Sequence, residues 1–230
     1  MAALASCLFA LAVAAAPAPA PATPAAPATP AAPAAPVDPW RFPAEAAEGL
    51  DFVRPGLRYD GIMSADFDGD GRMDQALIVR NTEQRVLLVL MAKRSGGFRR
   101  IGYGELDGHP LGDTSLSAPK GVLVVEDLTG GTSAIQSTYR YRYEKGSDRM
   151  RLIGDDVSLY SRTSQHGSTE ISTNRITGKR ITTVNELVGE PGANAELGPD
   201  KVTKSTVPTE PPIFLGEAPT PGETLGIGSE

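Results

Sequence analysis

From residue 85 onward, apolar positions fall into short runs cut by Gly, Asp, Asn and Ser. The runs are "RVLLVLMA" (85–92), "GVLVVEDL" (121–128), "AIQSTYRYRYE" (134–144), "RMRLIGDDVSLYSR" (149–162), "TEISTN" (169–174) and "KRITTV" (179–184). Their lengths, their β-branched and aromatic residues and their partial period of two predict strands. "EKGSD" (144–148) and "NRITGK" (174–179) have turn composition between such runs, so neighbouring strands should pair antiparallel. Helical periodicity is scarce; "PAEAAEGL" (43–50) is the one candidate, with Gly49 as its stop. The expectation is a mainly β chain: a small antiparallel β domain of successive hairpins, with at most a short N-terminal helix.

The ends have another character. Residues 1–16, "MAALASCLFALAVAAA", are almost wholly apolar, and no charge precedes Asp38. This run is shorter than the roughly 20 residues of a membrane-spanning helix, and Ala12 and Ala14 offer an AxA-type cleavage site. The segment therefore reads as a signal peptide, which predicts a periplasmic or secreted protein with no transmembrane helix. "LASC" (4–7) resembles a lipoprotein lipobox, but the apolar run continues past Cys7 and places that residue inside the signal core. Cys7 is the only cysteine, so the cleaved chain would have no disulfide. Residues 17–39, alternating Pro and Ala, predict a polyproline II spacer on the order of 70 Å long. Residues 40–215 form the expected β domain, and 216–230, rich in Gly, Pro and Thr, the expected disordered tail.

One stretch concentrates charge. "SADFDGDGRMDQALIV" (64–79) places Asp66, Asp68, Asp70 and Asp74 at positions 1, 3, 5 and 9 of a loop, with Gly69 and Gly71 at 4 and 6 and Arg72 at 7. Alternate carboxylates on a tight loop turn towards one centre, and a hard cation such as Ca²⁺ takes six to eight oxygens. An EF-hand would need Glu at position 12, which here is Leu77, followed by strand-like residues. Four hydrated carboxylates on a solvated turn are the alternative.

The DxDGDGxxD spacing followed by a strand resembles the FG-GAP, or VCBS-type, repeat. That resemblance implies calcium held by the side chains of Asp66, Asp68, Asp70 and Asp74 and by the Arg72 carbonyl. Repeats of this type build propellers, yet only one intact loop is present. "VEDLTGGTSAI" (125–135) is a faded copy in which Thr129 and Gly131 replace carboxylates, so no second metal and no full propeller are expected. The stretch from "KGVLVVEDLTGG" through "STNRITGKRITT" is similar to a group of uncharacterised bacterial secreted proteins with one such loop and a run of hairpins.

Catalytic constellations are sparse. His109 and His166 lie in polar, Gly-flanked stretches without metal-ligand spacing, and no GxSxG surrounds a serine. "TGKR" (177–180) lacks the upstream glycine of a phosphate loop and reads as a turn. Glu126, Asp127, Asp155 and Asp156 could serve as paired acid and base, although strand ends commonly carry such residues. In "YRYRY", Tyr139, Tyr141 and Tyr143 share one face of a strand and Arg140 and Arg142 the other. Nucleic-acid binding fits poorly with a net charge of −6. The reading is a calcium-stabilised, non-enzymatic binding module outside the cytoplasm, with an envelope protein or glycan as its partner. A carboxylate-dependent hydrolase and a purely structural envelope protein are the alternatives.

Overall fold

The computed structural model describes residues 41–192 and 195–227; the expected signal peptide, Cys7 and the expected Pro/Ala spacer lie outside the described residues. One sheet holds β1 (Glu45–Ala46), β2 (Arg58–Ala65), β3 (Asp74–Arg80), β4 (Arg85–Ala92) and β5 (Phe98–Leu106), in the spatial order β1-β5-β4-β3-β2. The second begins with β6 (Ser115–Ser117), β7 (Val122–Gly130), β8 (Ser133–Glu144), β9 (Arg149–Ser161), β10 (Ser168–Asn174) and β11 (Lys179–Asn185). After a two-stranded ribbon of β12 (Leu187–Val188) and β13 (Glu196–Leu197), it is completed by β14 (Lys201–Thr206), in the order β14-β11-β10-β9-β8-β7-β6. The pairings are antiparallel throughout. The chain is thus mainly β and built of hairpins, and its described strands form two large sheets rather than radial blades.

Both faces of β3 and β4 are covered, which explains why they read as unbroken apolar runs. Ala76, Ile78, Leu87, Val89 and Met91 face Leu123, Val125, Tyr139, Tyr141, Met150 and Leu152 of the second sheet. The alternate residues Leu77, Val79, Val86, Leu88 and Leu90 pack against Phe42 and Phe52 on the outside. At about 1.5–3 kcal/mol for each fully buried large apolar side chain, these two layers supply the main drive for folding. β8 keeps the expected facing: Tyr139 and Tyr141 are buried, Arg142 is exposed, and a bulge shifts the register between Arg140 and Tyr141.

Two expectations need correction. Residues 43–50 are not a helix: Glu45 and Ala46 pair with Arg99 and Phe98, and Gly49–Phe52 forms a 3-10 turn that starts, rather than stops, at Gly49. The chain stays extended because β5 needs an edge partner, with Arg100 N donating to Ala44 O at 2.8 Å, and because Phe42 and Phe52 must reach across the outer face. At the other end, the tail expected to fray folds back onto the domain and ends in a short helix whose Thr224 is buried. Residues 213–215 run beside β9, with Leu152 N donating to Ile213 O (2.9 Å) and Leu215 N to Met150 O (2.8 Å). Leu215 fits against β5 because Gly104 has no side chain there; a Cβ would meet Leu215 Cδ1 at 2.9 Å. Tyr139 Oη donates to Pro219 O, and the short helix α1 (Pro221–Leu225) is capped by Thr220 and by left-handed Gly226.

Candidate metal centre

The acidic loop joins β2 to β3 and starts where the pairing Ala65↔Asp74 ends. Phe67, between the first two aspartates, is buried in the core between the sheets and pins the loop from below. The backbone then curls around Asp66: its Oδ1 accepts from Gly69 N (2.8 Å) and Asp70 N (3.1 Å), and its Oδ2 accepts from Gly71 N (2.9 Å). Such a curl needs left-handed backbone, and Gly69 (φ 77°) and Gly71 (φ 84°) supply it without a Cβ penalty.

Asp74 is the fixed point of the site. It is 1% exposed, and its carboxylate accepts from Phe67 N (2.9 Å) and from Ala92 N at the end of β4 (2.8 Å). Burial pushes its carboxyl above the ordinary range, the two N–H donors pull it down, and the charges of Asp68 and Asp66 push it up again. Carboxylate oxygens of Asp66, Asp68 and Asp74 lie within 4.8 Å of one another. These are hard oxygen donors, without nitrogen or sulfur, and they suit Ca²⁺ or Mg²⁺ better than zinc.

The fourth expected carboxylate is placed differently. Asp70 forms an ion pair with the Arg72 guanidinium, while Arg72 N donates to Asp70 Oδ1 (2.9 Å) and Arg72 Nε to Ala92 O (3.2 Å). Phe67 and Ala92 were missed in the sequence. An apolar residue inside "DFDGD" signals the first; nothing local signals the second, which arrives from β4.

Three of the four other candidate carboxylates are matched with arginines. Asp127, 7% exposed, receives Arg85 Nη1 (3.3 Å) and Nη2 (2.6 Å), and Arg85 also donates to Asp107 O and Thr114 Oγ1. Asp155, wholly buried, pairs with Arg175, and Asp156 pairs with Arg140 at 2.7 Å and accepts from Ser172 Oγ. Glu126 is exposed on the opposite face of β7 from Asp127. A cleft of about 640 Å³ lies between β5 and β7–β9, where Glu217 is bound by Arg149 and thereby held below the ordinary carboxylate range.

His109 is exposed, and His166 links two turns, with Nε2 2.7 Å from Ser133 Oγ and Nδ1 2.7 Å from Gly167 O. The faded copy at 125–135 is the β7–β8 hairpin, turning at Gly130 to Ser133. "TGKR" is the β10–β11 turn, closed by Gly178 N donating to Asn174 O. No helix among the described residues is long and apolar enough to cross a membrane. Comparisons with protein-family models, curated proteins and solved structures gave no match.

Proposed function

We propose that the protein is an exported, calcium-stabilised binding module without catalytic activity, carried on the Pro/Ala spacer and presented to an envelope protein or glycan. The observation that carries the calcium part is the convergence of Asp66, Asp68 and Asp74 on one point at the head of β3. A buried aspartate beside two like charges gains from a dication whatever hydrogen bonds it already has, because its remaining charge is unbalanced. Ca²⁺ is favoured over Mg²⁺, since a flexible Asp/Gly loop suits an irregular shell of six to eight oxygens and Mg²⁺ demands a regular octahedron.

The non-catalytic part is supported by the fate of the alternative acids. Asp127, Asp155 and Asp156 each face an arginine, and a carboxylate engaged in an ion pair suits a structural role better than proton transfer. Export is supported by the apolar N-terminal run and the adjoining Pro/Ala tract. Calorimetric titration of the chelator-treated chain tests the calcium reading: one Ca²⁺ per chain, Mg²⁺ weaker, and loss of the site in Asp74→Asn are expected. Equal heats for parent and Asp74→Asn would overturn it.

A further inference from the structure

We propose that Arg72 is an internal competitor for the loop's cation and sets its calcium affinity by holding Asp70 away from the ion. This rests on the calcium reading above. The carboxylates of Asp66, Asp68 and Asp74 already share one centre, whereas Asp70 faces the Arg72 guanidinium. That guanidinium is braced from a second side, because its Nε donates to Ala92 O at 3.2 Å. The N–H of the same Ala92 donates to Asp74 Oδ1 at 2.8 Å. The end of β4 therefore holds the competitor with its carbonyl and the buried ligand residue with its amide.

Three carboxylates leave a calcium shell short of oxygens, and Asp70 is the one remaining carboxylate of the loop. Recruiting it requires the Asp70–Arg72 ion pair to open. Opening that pair costs free energy and so weakens binding, which sets the loop to respond where calcium is plentiful rather than scarce. Arg72 is a positioning residue in this scheme: it touches Asp70 and β4, and acts on the ion through them.

Arg72→Gln removes the charge at a partly exposed position and should leave the fold intact, as circular dichroism would verify. In calorimetric titration of the full chain with CaCl₂, Arg72→Gln should bind Ca²⁺ about tenfold more tightly than the parent. In an Asp70→Asn background the same change should give little further tightening, since the carboxylate it releases is gone. Equal or weaker binding by folded Arg72→Gln, or full tightening in the Asp70→Asn background, would overturn the proposal. If neither parent nor Arg72→Gln took up Ca²⁺ at millimolar concentration, the calcium reading itself would fall, and this inference with it.

Discussion

Asp127 and Asp74 are both buried aspartates on strands, yet they meet opposite company. Asp127 faces Arg85, 1% exposed, in a two-pronged ion pair that joins β4 of one sheet to β7 of the other. Asp74 faces Asp66 and Asp68. One buried charge carries its counter-ion in the chain; the other is satisfied by N–H groups but left electrically unbalanced. The contrast separates a carboxylate that holds the fold together from one whose charge a bound cation would balance.

The largest effect should come from breaking the balanced pair. Arg85→Ala strands Asp127 between the sheets and should cost about 3–5 kcal/mol in urea unfolding, with or without calcium. The double variant Arg85→Met, Asp127→Leu should recover much of that loss, because no charge remains buried alone.

Next comes the unbalanced cluster. Asp68 is exposed and, among the described residues, accepts only from Asp70 N, so Asp68→Asn should change stability little in chelator. It should nevertheless abolish the calcium-dependent gain, about 2.7 kcal/mol at free calcium a hundredfold above the dissociation constant. Unfolding curves with and without calcium measure both quantities.

A smaller effect probes the packed C-terminal strap. Tyr139→Phe removes the donor to Pro219 O and should cost about 1 kcal/mol, read from the urea midpoint, independent of calcium.

The smallest should be a pH effect on a balanced but exposed pair. Arg99 holds the Asp148 carboxyl below its ordinary range, helped by Tyr143 Oη, and so ties the β8–β9 turn to β5. A depressed carboxyl contributes stability above its unfolded value and loses it as the pH falls through the folded one. Unfolding midpoints between about pH 5 and about pH 2 should therefore fall less steeply in Asp148→Asn than in the parent. The difference should be below about 1 kcal/mol, because solvent screens the pair.

Much of this was legible in the chain. The runs at 85–92 and 121–128 are strands, as their apolar content demands, and the turns at 144–148 and 174–179 carry the residues that hairpins need. The spacing of the aspartates announced a loop around one centre, and three of the four converge there. Long-range partners were not legible. Arg85 finds Asp127 across 42 positions, and no local pattern marks that pair. Residues 43–50 carry helix-forming Ala and Glu but are drawn into pairing with β5, and residues 213–215 take their form from β9 beside them. Asp70 fits the motif by position, but Arg72, two residues on, offered it an ion pair.

The most direct test of the unbalanced cluster is a thermal melt of the purified chain, first in chelator and then in excess Ca²⁺ or Mg²⁺. Tm should rise clearly with Ca²⁺, less with Mg²⁺, and not at all with Ca²⁺ in Asp68→Asn. Identical Tm values for the parent in chelator and in calcium would contradict it and leave the loop a solvated turn.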